Sequence, residues 1–148
     1  METGRLIAVL ATFAVGAIVA LQPPVNSELG RQTTVLVAAF VGTALAAAAL
    51  GVLVLFAGEL SVVPKAFGVN PLWLTGGLMG ALLITVSLVT VRTLGAGGVV
   101  AATLCGQLVV SAVLDRAGVL GLDTIPLTPE RLLGFVLLIV GTLLVVLR

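Results

Sequence analysis

The sequence contains no histidine and a single cysteine, Cys105, among its 148 residues. These two shortages exclude a zinc site built from His and Cys, and they exclude an internal disulfide. No acid, base and nucleophile stand together in a catalytic pattern, and the glycines at positions 95, 97 and 98 follow no strand and match no phosphate loop. The sequence therefore predicts neither an enzyme nor a bound cofactor.

Charged residues are also scarce. They make up 9% of the chain, against about 25% in an average soluble domain. The formal net charge is only +1, and no basic cluster of the kind that binds nucleic acid is present. A nucleic-acid partner is therefore not expected.

What the chain has in abundance is apolar surface, with 60% hydrophobic residues and a mean hydropathy of +1.34. A soluble fold of this length cannot bury so much of it, so the lipid bilayer is the expected surrounding. A helix that crosses a bilayer needs about 20 apolar residues, and five stretches approach that length. We predict an all-α integral membrane protein, a single domain over residues 1–148 with five transmembrane helices, at about residues 6–21, 33–57, 72–91, 96–113 and 132–147.

Local signals mark several ends of these spans. Pro23-Pro24 ends the first span, because proline lacks an N–H and its ring breaks a helix. Asn70-Pro71 and Thr128-Pro129-Glu130 each place a capping side chain before a proline, a pattern typical of helix starts. Only residues 92–95 separate the third and fourth spans, which predicts a tight antiparallel hairpin there.

The segment from Gln22 to Gly30 between the first two spans is unusually polar and has two interpretations. We favour a capped turn, in which Asn26 or Ser27 caps the second helix and Glu28 lies in its first turn. The alternative is broken backbone that lines a cavity, which is where secondary transporters place their sites.

Four polar residues recur at four-residue intervals in the fourth span, and this spacing puts them on one helix face: Thr103, Gln107, Ser111 and Asp115. Gln107 is predicted either to bond a neighbouring helix or to line a substrate cavity. For Asp115, beside Arg116, we favour an interfacial ion pair or a helix-end cap. Trp73, near the start of the third span, is typical of an interfacial anchor, with an aromatic wall of a site as the alternative.

Small residues recur every four positions in three spans, a spacing that lets helices approach closely in lipid: Ala8, Thr12, Gly16 and Ala20 in the first, Gly76 and Gly80 in the third, and Gly98, Ala102 and Gly106 in the fourth. In the fifth span, Gly134 and Gly141 share a face that could pack between subunits. These patterns predict close helix packing rather than a ligand site.

The seven Lys and Arg residues divide almost evenly over a five-span topology: Arg5, Lys65, Arg116 and Arg131 on one side, and Arg31, Arg92 and Arg148 on the other. An excess of Lys and Arg on the cytoplasmic side normally sets the orientation of a membrane protein. A four-to-three division gives the chain little preference for one orientation, and it predicts insertion in both orientations.

A set of short motifs, in order along nearly the whole chain, resembles the YdcZ family of bacterial inner-membrane proteins in the drug/metabolite transporter superfamily. These motifs are Gln22-Pro-Pro-Val-Asn26-Ser-Glu-Leu-Gly30, Trp73 with Gly76-Gly77-Leu-Met-Gly80, Gly106-Gln107-Leu with Asp115-Arg-Ala-Gly118, and Arg131-Leu-Leu-Gly134. The resemblance implies a helical bundle like that of the four-helix small multidrug resistance exporters, which work as antiparallel pairs or as two-domain fusions. Those exporters carry an acid in the first helix that binds substrate and protons, and the first span here has none.

The leading hypothesis is a small secondary transporter of an unidentified small metabolite or drug-like compound. It would work by alternating access as an antiparallel homodimer, which supplies the inverted repeat that many transporters contain. Five side chains are candidates for substrate binding and two acids for ion or proton coupling: Gln22, Asn26, Trp73, Gln107 and Ser111, then Glu28 and Asp115. The alternatives are an accessory subunit of a membrane complex and one half of a heterodimer with a related, oppositely oriented chain.

Overall fold

The computed structural model describes residues 2–120 and 123–147. All of the regular structure in these residues is helical, which confirms the predicted all-α class. The helices are α1 Glu2–Val19, α2 Gln22–Gln32, α3 Val35–Phe56, α4 Val63–Ala66, α5 Thr75–Ala117 and α6 Pro129–Val146, with 3₁₀ turns at Leu60–Val62 and Pro71–Leu74.

Four helical segments in the described part of the chain are long and apolar enough to cross a membrane: Thr3–Gln32, Val35–Phe56, Pro71–Ala117 and Pro129–Val146. The third has 47 residues, which as a straight helix would be about 70 Å long. That length is more than twice the hydrocarbon thickness of a bilayer, about 30 Å. The predicted count of five spans stays a prediction, but this segment has the length of two.

Gly95 interrupts α5, with φ 70° and ψ 169°. Only glycine adopts this backbone region readily, so the break depends on the residue type. A Cβ atom on Gly98 would lie 2.9 Å from the Cβ of Leu94, closer than two such atoms normally approach. Position 98, after the break, therefore also needs glycine. The break falls inside the predicted connection at residues 92–95, so the predicted spans at 72–91 and 96–113 lie on either side of it.

The chain forms two compact units, one up to Thr93 and one from Leu94. In the first unit, a small core joins α2, α3 and the first part of α5. Ala38 and Leu88 are almost completely buried at its centre, at 0% and 1% exposure. Because alanine is small, α3 allows the neighbouring helices to approach its backbone closely.

The segment from Gln22 to Gly30 is helical, so the turn predicted there is wrong. Both prolines lie in the first turn of α2. Backbone N–H groups in the first turn make no hydrogen bond within the helix, so proline is tolerated there. Asn26 and Ser27 therefore lie inside α2 and do not cap the next helix. Thr34 caps α3 instead, since its hydroxyl accepts a hydrogen bond from the N–H of Val37 at 3.2 Å.

The two helix starts predicted from Asx/Thr-Pro patterns are confirmed. The Asn70 side-chain oxygen accepts a hydrogen bond from the N–H of Leu72 at 3.0 Å and begins the 3₁₀ turn that leads into α5. The Thr128 hydroxyl accepts one from the N–H of Arg131 at 3.4 Å and begins α6.

The small-residue face predicted for the first span lies on α1, which is exposed along its length. Phe13 is 75% exposed, and a Cβ atom on Gly16 would meet no atom within 4 Å. Thr12 satisfies its hydroxyl within the helix by donating to the carbonyl of Ala8 at 2.8 Å. Close packing at this face stays a prediction.

Candidate functional site

Ser27 of α2 is a buried polar residue of the first unit and is only 6% exposed. Its hydroxyl accepts a hydrogen bond from Nε of Arg92 at 3.2 Å, and its main-chain carbonyl accepts one from Nη2 at 3.3 Å. Arg92 lies in the part of α5 that ends at the break at Gly95, and its place in the connection between two spans stays a prediction. We call this pair the Ser27–Arg92 junction.

Two glycines allow the side chains of this region to lie close to the helices. A Cβ atom on buried Gly30 would be 3.6 Å from Nη2 of Arg92 and also 3.6 Å from the Cβ of Ala38. A Cβ atom on Gly42 of α3 would be only 3.2 Å from the amide nitrogen of Asn26. Asn26 is a predicted substrate-binding residue. It lies about one helical turn from Gly30 on the same face of α2, which places it beside the Ser27–Arg92 junction.

The acidic residue of α2 belongs to a different surface. Glu28 pairs with Arg31 one turn later, with an N–O distance of 3.5 Å, and the two side chains are 59% and 70% exposed. Exposed pairs of this kind contribute little to stability. Glu28 is therefore available to solvent or headgroups, and its coupling role stays a prediction.

Asp115 forms the main polar contact of the second unit. Its Oδ2 accepts a hydrogen bond from Nη2 of Arg131 at 2.7 Å, and both side chains are largely buried. The Arg131 guanidinium also lies 5.9 Å from the centre of the Phe135 ring, within the range of a cation–π contact. The ion pair therefore joins the end of α5 to the first turn of α6.

The ion pair of Asp115, one of the two roles favoured for it, forms with Arg131 and not with the adjacent Arg116, because adjacent residues on a helix point about 100° apart. The main chain supports the observed pairing. The Asp115 carbonyl accepts a hydrogen bond from the N–H of Ile125 at 2.9 Å, and Arg131 Nη1 donates to the carbonyl of Pro126 at 3.5 Å. The segment before α6 thus folds back onto the end of α5.

The four polar residues from Thr103 to Asp115 all lie in α5 after the break at Gly95, so they share one face as the spacing predicts. Gln107 is exposed. Ser111 is half-buried, and its hydroxyl donates to the carbonyl of Leu108 in its own helix at 3.0 Å. Among these four residues, the side chain of Asp115 contacts another helix. The Ser111 hydroxyl bonds within its own helix, and the amide of Gln107 is exposed.

The remaining predicted substrate-binding residues lie at helix starts. Gln22 is the first residue of α2 and is exposed, and Trp73 is 57% exposed in the 3₁₀ turn Pro71–Leu74. These positions fit an interfacial anchor at Trp73 as well as a site. The substrate-binding roles of all five side chains stay predictions.

Ser27, Arg92 and Arg131 are the polar residues whose roles sequence reasoning missed. The partner of Arg92 lies 65 positions away in the sequence, so spacing along one helix gives no signal for it. The partner of Arg131 lies 16 positions away, beyond the reach of helical spacing rules.

Long apolar helices with few charges define a multi-pass α-helical membrane protein. A family model described as "Putative inner membrane exporter, YdcZ" matches residues 7–144. The chain belongs to this YdcZ family, as its motifs suggested, and it is a multi-pass protein of the inner membrane. The family is one of membrane transporters and not of enzymes. No curated protein and no solved structure matches the chain.

Proposed function

We propose that this protein is a secondary transporter that exports a small metabolite or drug-like compound. In this proposal two copies pair in opposite orientations and move the compound by alternating access. The family description supports export across the inner membrane. The compound itself is unidentified.

The observation that carries the proposal is the exposed side chain of Gln107 on the apolar second part of α5. Ser111 lies on the same face with its hydroxyl bonded to the carbonyl of Leu108, and half-buried Asn26 lies on the polar helix α2. A polar group in hydrocarbon without a partner costs several kcal/mol. Such groups are therefore expected to face a polar path or a second subunit, and not lipid.

The even distribution of positive charge supports the antiparallel pairing. Seven Lys and Arg residues divide four to three over the predicted topology. Arg148 belongs to that count but lies outside the described residues. A chain without a strong charge bias is expected to insert both ways, and two opposed copies together would form an inverted repeat.

A topology experiment tests the pairing directly. Two reporters, one active in the cytoplasm and one active outside it, are fused separately to the chain after Arg148. We expect signal from both. Signal from one side alone would contradict the homodimer, and would favour a heterodimer with an oppositely oriented chain or an accessory subunit.

Matched charge variants make this test sharper. Two lysines are added near Lys65 in one variant, Ser61→Lys with Gly68→Lys, and two near Arg31 in the other, Gln32→Lys with Thr33→Lys. Because Lys and Arg collect on the cytoplasmic side, the two variants should shift the reporters in opposite directions. A chain with a fixed orientation would not respond to either pair.

A further inference from the structure

We propose that Arg92, held by Ser27, binds an oxyanion, namely a carboxylate or phosphate group. The site consists of the free edge of the Arg92 guanidinium at the surface of α2 and α5. No catalytic step is involved. The proposal concerns the ligand chemistry of the first unit and does not depend on pairing between subunits.

The guanidinium of Arg92 has N–H donors that Ser27 does not use. Arginine has five N–H donors in a rigid plane. Nε and Nη2 lie on one edge of that plane, and this edge faces the hydroxyl and carbonyl of Ser27 at 3.2 and 3.3 Å. The second N–H of Nη2 and an N–H of Nη1 then form the opposite fork. Two parallel donors on one edge fit the two oxygens of a carboxylate or phosphate.

The guanidinium is also oriented before any ligand arrives. Ser27 is 6% exposed, so its oxygens are held by the packed core and not by a mobile surface. Gly30 leaves room for the guanidinium beside α2, where a Cβ atom would be 3.6 Å from Nη2. An arginine that is already positioned loses less side-chain entropy on binding than a free one.

The positive charge of Arg92 also favours an anionic ligand. Among the described side chains, the ion pairs are Arg31 with Glu28 and Arg131 with Asp115, and Arg92 belongs to neither. Arg92 lies in the apolar segment Pro71–Ala117, three residues before its break at Gly95. A cation at the edge of an apolar span is stabilised by a compensating negative charge. Since Arg92 is exposed, an external anion can supply that charge.

Two sources can offer this chemistry, the phosphate of a lipid headgroup and an anionic group on the exported solute. The second source rests on the proposed export function, whereas the site itself does not. Both sources require the same fork on Arg92. The experiment therefore first tests the site and then separates the sources.

The test measures the thermal unfolding midpoint of the full chain, purified and delipidated in neutral detergent. Inorganic phosphate or acetate is titrated while chloride keeps the ionic strength constant. We expect a saturable rise in the midpoint for the native protein and none for Arg92→Gln. Arg31→Gln is the matched control, since it removes an exposed arginine that already has a carboxylate partner, and it should respond like the native protein.

Arg92→Lys and Ser27→Ala keep the test decisive if Arg92→Gln does not fold. Lysine retains the charge without the fork, and alanine removes one of the two oxygens that orient it. Arg92→Lys should weaken phosphate binding by about tenfold or more, which is the effect of losing one hydrogen bond to a charged group. Ser27→Ala should also weaken binding, because Nε of Arg92 loses the hydroxyl that orients the guanidinium. A native protein that does not respond, or variants that respond equally, would overturn the proposal.

The sources are separated by repeating the titration after adding phosphatidylglycerol. If the lipid abolishes the response to phosphate and acetate, a headgroup occupies the site. If the response persists in the lipid-saturated protein, the site is open to soluble anions. Because the readout is binding and not transport, a negative result leaves the transport proposal standing, and a failed topology test leaves this one standing.

Discussion

Arg131 binds Asp115 at 2.7 Å across 16 positions of sequence and so connects the first turn of α6 to the end of α5. Arg116, which is next to Asp115 in the sequence, takes no part in that contact. The pair is largely buried, and the ring of Phe135 lies against the arginine. The contact therefore serves structure, whatever further role Asp115 has.

Removing the carboxylate charge should destabilise the second unit. We expect Asp115→Asn to lower the free energy of unfolding by about 1–2 kcal/mol, because a charge-assisted hydrogen bond in a partly exposed site is lost. Unfolding in mixed micelles of neutral detergent and dodecyl sulfate measures the change. Arg116→Gln is the control and should have an effect within about 0.5 kcal/mol. An equal loss in both variants would contradict the assigned pairing.

The sequence predicted the polar stripe on α5 and the cap at Thr128, because both depend on local spacing. It did not predict the partner of Asp115, since that contact depends on how the chain returns after α5. The error at Gln22–Gly30 has a different cause. Two prolines end a helix when they fall in its interior and begin one when they fall in its first turn, and apolar periodicity does not distinguish the two cases in a polar segment.

Gly95 should tolerate no other residue without cost, because its φ of 70° and ψ of 169° are strained for every residue with a Cβ atom. We expect Gly95→Ala to lower the free energy of unfolding by about 1–3 kcal/mol. Gly97→Ala is the control, since a Cβ atom there meets nothing within 4 Å. It should be neutral or more stable by up to about 1 kcal/mol, as alanine favours helix. Similar losses in both variants would show that the break does not need glycine.

Gly30 offers a graded test of the packing around the Ser27–Arg92 junction. A single methyl group would make ordinary contacts of 3.6 Å, so Gly30→Ala should be neutral or slightly stabilising. Gly30→Leu should cost about 1–3 kcal/mol, because a larger side chain overpacks the site and displaces Arg92. The same mixed-micelle unfolding experiment compares the two. If leucine is tolerated as well as alanine, α2 does not pack as described.

Gln107 separates a transporter from an accessory subunit. It is exposed on the polar face of α5, so Gln107→Leu breaks no packing within the described chain and should change the free energy of unfolding by no more than about 0.5 kcal/mol. If this face lines a substrate path, the variant should lose the resistance or efflux that the native protein confers in a screened panel of compounds. Val109→Leu, which alters an exposed apolar residue nearby, is the control and should retain it. Retained efflux in Gln107→Leu, or a change only in assembly with partner chains, would contradict a substrate path at this face and favour an accessory subunit.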